Sequence, residues 1–161
     1  MPPGAANPPL TDEALLEAFA DASLPAEQFH HEQHVRVAWL FVQQHGMPAA
    51  LDEFSEAIKR FAAAKGAHGL YHETITWAFL LIIAERQARA PQANWHAFAA
   101  ANHDLLAWKP SILERYYSKA LLASDLAKRA FVMPDLVGLK PDATSEALPD
   151  ATSDAQTDVT P

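Results

Sequence analysis

The stretch Trp77-Ala-Phe-Leu-Leu-Ile-Ile-Ala84 is the longest unbroken apolar run in the chain. It is far shorter than the roughly 20 apolar residues that a membrane-spanning helix needs. A helix that is apolar on every face must therefore be buried inside the fold. A second segment, Val35-Arg-Val-Ala-Trp-Leu-Phe-Val42, is apolar nearly all round. Two such helices predict a core built around a pair of central elements, with amphipathic helices packed outside them.

The rest of the body, 10–137, reads as helix as well. It has no run of alternating polar and apolar residues and no Asn-Gly or Asp-Gly turn. A first helix should follow Thr11 as N-cap and end before Pro25. A second should span 31–45 and stop at Gly46. A third should start with Pro48 as its first residue, carry Leu51, Phe54, Ile58 and Phe61 on one face, and end before Gly66. A fourth should cover 70–89 and a fifth 94–108, each stopped by a proline. Short pieces at 111–117 and 124–131 follow, the latter capped by Ser124. The predicted fold class is all-α, a single-domain helical bundle with two buried central helices. Leu81 and Phe41 are expected in its core.

Both ends differ in composition. Residues 1–9 hold four of the 12 prolines, and 138–161 hold three more with five acidic residues and one lysine. In the tail, Pro141-Asp-Ala-Thr-Ser145 recurs as Pro149-Asp-Ala-Thr-Ser153. Segments with so little to bury are expected to be disordered. The net charge of −8 argues against a nucleic-acid partner, since phosphate binding rests on Lys and Arg. The absence of cysteine excludes disulfides, thiolate catalysis and iron–sulfur clusters. Residues 1–9 lack the basic and apolar regions of a signal peptide, so the expectation is a cytoplasmic protein with no membrane partner. Self-association is left open.

Chemistry concentrates in the histidines, eight in all. His30, His31 and His34 cluster at the start of the second helix, and His68 and His72 at the start of the fourth. His31 and His34 share a helical face. Short connections make neighbouring helices antiparallel, so the second and fourth should be parallel with both N-terminal ends at one end of the bundle. The fifth helix should bring His103, Trp108 and Tyr116-Tyr117 there too. Converging neutral imidazoles suit a transition metal (iron, zinc, copper, nickel or manganese). The expected ligands are His31, His34 and His72. Glu73 and Tyr117 are candidates to move protons. Arg36, Tyr116 and Thr76 are candidates to hold a small organic substrate. Each residue also has a structural reading: a capping histidine, a first-turn glutamate, packing tyrosines, and a surface arginine beside Glu32. The partial positive charge of two helix N-termini would equally favour an anionic substrate.

Several signatures are excluded. His31-Glu-Gln-His34 has the wrong spacing for the zinc-protease motif. Only Glu27-Gln-Phe-His30 fits the Glu-x-x-His pair of di-iron bundles. No glycine-rich nucleotide loop and no nucleophile elbow is present.

The segments Phe29-His-His-Glu-Gln-His-Val-Arg-Val-Ala38, Tyr71-His-Glu-Thr-Ile-Thr-Trp-Ala-Phe79 and Phe131-Val-Met-Pro-Asp135 resemble a small all-helical family of uncharacterised bacterial proteins. The resemblance rests on Phe-x-His-x-x-His-Val-Arg and His-x-Thr-Ile-Thr. It singles out His31 and His34 over His30, and His72, Thr74 and Thr76 over Glu73. It implies no reaction. Two functions follow from the residues. One is a small metal-dependent enzyme, oxidative or hydrolytic, acting on a small organic molecule. The other is a metal-free helical ligand-binding or adaptor protein with a histidine-lined pocket. A structural partner subunit with an acidic spacer is a third, weaker reading.

Overall fold

The computed structural model describes residues 9–136. The expected disorder of 138–161, and of 1–9 apart from Pro9, lies outside the described residues. Among the described residues there are eight α-helices, three short 3₁₀ turns and no strand. The protein is all-α, and no helix among them is long and apolar enough to cross a membrane.

Local chemistry sets the helix ends. The Thr11 hydroxyl accepts the Ala14 N–H at 3.2 Å and opens α1 (Asp12–Ala20). Helix α2 (His31–His45) stops at Gly46, whose φ of +64° is left-handed and whose N–H closes on the Val42 carbonyl at 2.9 Å. Helix α3 (Ala49–Ala64) starts one position after Pro48, which is its N-cap and not its first residue. Helix α4 (Glu73–Arg89) starts later than the periodicity predicts. His68–Leu70 makes a separate 3₁₀ turn, Tyr71 is extended, and His72 is the N-cap.

The expected fifth helix divides into α5 (Trp95–Ala101) and α6 (His103–Leu106). Asn102 separates them. Its amide nitrogen donates to the Phe98 carbonyl at 2.8 Å, and its amide oxygen accepts from Arg86 at 3.1 Å. An asparagine that bonds its own backbone competes with the helix. Ile112–Arg115 is a 3₁₀ turn. Helix α7 (Lys119–Leu122), capped by Ser118, is a short element that periodicity did not predict. Helix α8 (Asp125–Arg129) begins at Ser124 as expected.

Helices α2 and α4 make the most extensive contact in the bundle. Helix α3 packs against both, and α8 covers another side of α4. Val35, Val37, Ala38, Trp39, Leu40 and Val42 of α2 are buried, as are Thr74, Ala78, Leu80 and Ile83 of α4. Phe19 sits among Phe29, Phe41, Phe54 and Phe61 with ring centroids 5.2–6.2 Å away. Phe41 is only partly buried but packs on this cluster. Leu81 corrects the sequence reading: it is 40% exposed. It lies on the strip of α4 that continues through Glu85 and Arg89, which form an exposed ion pair. Continuous apolarity predicted burial all round, yet the described residues leave this strip uncovered.

Ion pairs tie the outer elements to the central ones. Arg36 reaches Asp12 and the Leu10 carbonyl, fixing α1 on α2. Arg86 holds Asp104 with two parallel hydrogen bonds, joining α4 to α6, and Arg115 adds a third contact at 3.1 Å. The Arg86 hydrogen bonds hold the Asp104 carboxyl down at about 2.

Leu80→Ala should cost about 2–5 kcal/mol, as truncations in packed cores do. Leu81→Ala should cost less than about 1 kcal/mol, as partly exposed sites do. Urea unfolding of both variants checks the placement, and a reversed order would mean that α4 is rotated from the orientation described.

Candidate functional site

The first turns of α2 and α4 border one cavity of about 600 Å³. Its walls are mainly apolar, with Val35 and Ala38 from α2, Phe54 and Ile58 from α3, and Ile75 and Phe79 from α4. Leu70 and Trp108 stand at its mouth, 81% and 65% exposed. The polar lining is His30, His31, His34, Tyr71, His72 and Thr76. The two helix starts thus meet around one space, and Trp108 joins them there.

The three expected metal ligands all line this cavity, but they are engaged differently. His72 is bonded at both ring nitrogens. Its Nδ1 accepts the Ile75 N–H at 3.2 Å, capping α4, and its Nε2 lies 2.8 Å from the Leu122 carbonyl. A carbonyl only accepts, so Nε2 carries the proton, and the Nδ1 lone pair is committed to the cap. His31 places Nε2 2.8 Å from the Leu105 carbonyl, so Nε2 is again the donor. In the neutral ring, Nδ1 is then the acceptor. The His31 ring lies 5.2 Å from Phe79 and 5.3 Å from Trp108.

His34 stacks on Phe29 with 3.8 Å between centroids. Burial, reinforced by the neighbouring His31, pushes its imidazole down to about 4, against a weaker opposing pull from the Phe29 backbone. At neutral pH it is uncharged. His30, the N-cap of α2, lies at the cavity edge, and its backbone N–H donates to Gln33 Oε1 at 3.1 Å. Among the described residues, no group of three or more His, Cys, Asp or Glu is arranged to hold a metal ion.

The remaining candidates separate. Thr76 lines the cavity. Glu73 does not line it, but accepts the Tyr71 O–H at 2.6 Å and so acts on the wall through that phenol. Burial raises the Tyr71 phenol well above its usual range, and the Glu73 carboxylate raises it further. Lys59 lies over the Tyr71 ring at 4.9 Å. Arg36 is committed to Asp12 and borders a separate, smaller hollow near Leu10. Tyr117 is buried and donates to the Val132 carbonyl at 3.1 Å, away from the cavity lining. Tyr116 packs against the core, and its carbonyl accepts the Leu136 N–H.

The sequence reading did not nominate Tyr71, although it directly precedes His72 in the quoted segment. The Leu105 and Leu122 carbonyls, which hold His31 and His72, carried no side-chain signal at all. Thr74, noted only through the resemblance, is structural. It is fully buried, donates to the Ala130 carbonyl and accepts from Val132 N–H.

The chain matches no protein-family model, no curated protein and no solved structure.

His34 gives a prediction with a definite sign. The unfolded chain takes up a proton near pH 6.5, and the folded protein does not until about 4. The unfolded state binds more protons between these values, so stability falls as pH falls through that window. From neutral pH to about pH 5 the loss should be roughly 2 kcal/mol. His34→Gln should flatten that part of the curve, whatever its effect on absolute stability. Denaturant midpoints across this pH range measure it, and an unchanged slope in the variant would place the acid sensitivity elsewhere.

Proposed function

We propose that this protein binds a small organic molecule in the histidine-edged cavity between α2, α3 and α4, through packing and hydrogen bonds and without a metal held by His72. The observation that carries this reading is the state of His72. A metal would need a lone pair that now caps α4, or a nitrogen that now donates to Leu122. Recruiting His72 would therefore undo the start of a central helix, leaving a backbone donor at that end without its partner. The cavity itself supports ligand binding. Its volume falls among those of small-molecule sites, and its apolar walls with a few polar groups match their usual lining.

A three-histidine metal enzyme is the competing reading, and one preparation tests both. The untagged full-length protein should carry well under one equivalent of iron, zinc, copper, nickel or manganese by elemental analysis. It should bind a neutral polycyclic dye such as Nile red at one site per chain. Ile58→Trp fills the cavity from α3 and should weaken dye binding at least about tenfold, a loss of about 1.4 kcal/mol. Met133→Trp, on an exposed residue outside the cavity lining, should leave it unchanged. Stoichiometric metal that disappears on replacing His31, His34 or His72 would overturn the metal-free reading in favour of the metal centre.

A further inference from the structure

The polar groups of the cavity are unequal in what they have left to offer. His31 Nε2–H is given to the Leu105 carbonyl, and His72 Nε2–H to the Leu122 carbonyl. The Tyr71 O–H is given to Glu73. The protein consumes its own donors at these three sites, while acceptors remain. The Leu105 hydrogen bond leaves His31 Nδ1 unused, whereas the Tyr71 phenol oxygen is already faced by the Ser55 and Thr76 hydroxyls. His34 adds a neutral imidazole, which has one donor and one acceptor nitrogen. Thr76 adds a hydroxyl to the lining, set against the Tyr71 phenol.

Formal charge is missing from the lining as well. No Lys, Arg, Asp or Glu borders the cavity. The nearby charges are occupied: Glu73 accepts from Tyr71, Lys59 pairs with Glu56, and Arg36 pairs with Asp12. An anion or a cation entering this space would lose water without gaining a counter-charge. The starts of α2 and α4 exert a pull toward anions. That pull is reduced where the Ile75 N–H is already taken by His72 and the His30 N–H by Gln33. The aromatic wall of Phe54, Phe79 and Trp108, with the His31 ring tilted against the last two, suits a flat ring system.

We infer that the cavity selects a neutral aromatic molecule carrying a hydroxyl donor, of the phenol or naphthol class, over a carboxylate of the same size. This rests on the ligand-binding reading above and specifies its ligand. The hydroxyl donates to an imidazole lone pair at the His31–His34 edge while the ring lies against the aromatic wall.

Titration calorimetry on the full-length chain at neutral pH, with three matched probes, tests the inference. β-Naphthol has the donor. Its methyl ether has the same ring and oxygen without the donor, and β-naphthoate has a negative charge instead. Naphthol should bind at least about tenfold more tightly than the ether, the size of one hydrogen bond near 1.4 kcal/mol. It should exceed naphthoate by at least as much. His31→Phe and His34→Phe keep a ring at each position, and at least one should bring naphthol down to the level of the ether. The wild-type comparison decides the matter even if a variant fails to fold. Ether binding equal to naphthol, or a preference for naphthoate, would overturn the donor selectivity and leave the cavity as a binding site. Failure of all three probes to bind, with Nile red also excluded, would overturn the binding reading itself and this inference with it.

Discussion

The pairing of α2 with α4 is the constraint on which the rest depends. Each carries more apolar surface than one neighbour can cover, so they pack on one another and collect α3 and α8 around them. Their first turns then lie side by side and cannot fill the space between them as their later turns do. The side chains there are imidazoles and a phenol instead of leucines, and a cavity of about 600 Å³ remains. Core and cavity are divided along the same two helices: core at Val37, Leu40, Leu80 and Ile83, cavity lining and proposed site at His31, His34 and Thr76.

The histidines illustrate how identical side chains take different parts through the partners that surround them. His72 spends both nitrogens on backbone groups and belongs to the fold, linking the start of α4 to α7. His31 spends one nitrogen on α6 and keeps the other. His34 lies flat on Phe29 and is kept uncharged by burial. A metal centre needs lone pairs converging on a point, and the Nδ1 lone pair of His72 is already taken by the Ile75 N–H. The proposed organic ligand would be hydrogen-bonded at the His31–His34 edge of the cavity without any rearrangement of α4.

Much of the fold was legible in the chain. Thr11, Gly46 and Ser124 mark helix ends through local chemistry that operates within a few residues, and α2 has the bounds its sequence predicts. Helix order and short connections sufficed to bring His30, His31, His34 and His72 to one cavity, while His68 stays outside its lining. The failures share a physical cause, which is that a distant partner decided the outcome. Asn102 breaks the fifth helix while Arg86 of α4 holds its side-chain oxygen. Leu81 is exposed because no element among the described residues covers that strip of α4. Arg36 and Tyr117 are drawn to Asp12 and the Val132 carbonyl, and so stand apart from the cavity. Carbonyls such as those of Leu105 and Leu122 leave no trace in residue type, so the commitment of His31 and His72 could not be read from periodicity or composition.

The most direct test of the central claim is nitrogen NMR of the imidazole side chains in the full-length chain at neutral pH, before and after one equivalent of zinc. The hydrogen bonds predict that His72 is the Nε2–H tautomer, with a protected ring proton and a hydrogen-bonded Nδ1, and that zinc leaves its resonances unmoved. Loss of the His72 ring proton with zinc, in step with shifts at His31 and His34 that saturate at one ion per chain, would contradict this account and establish the three histidines as a metal centre.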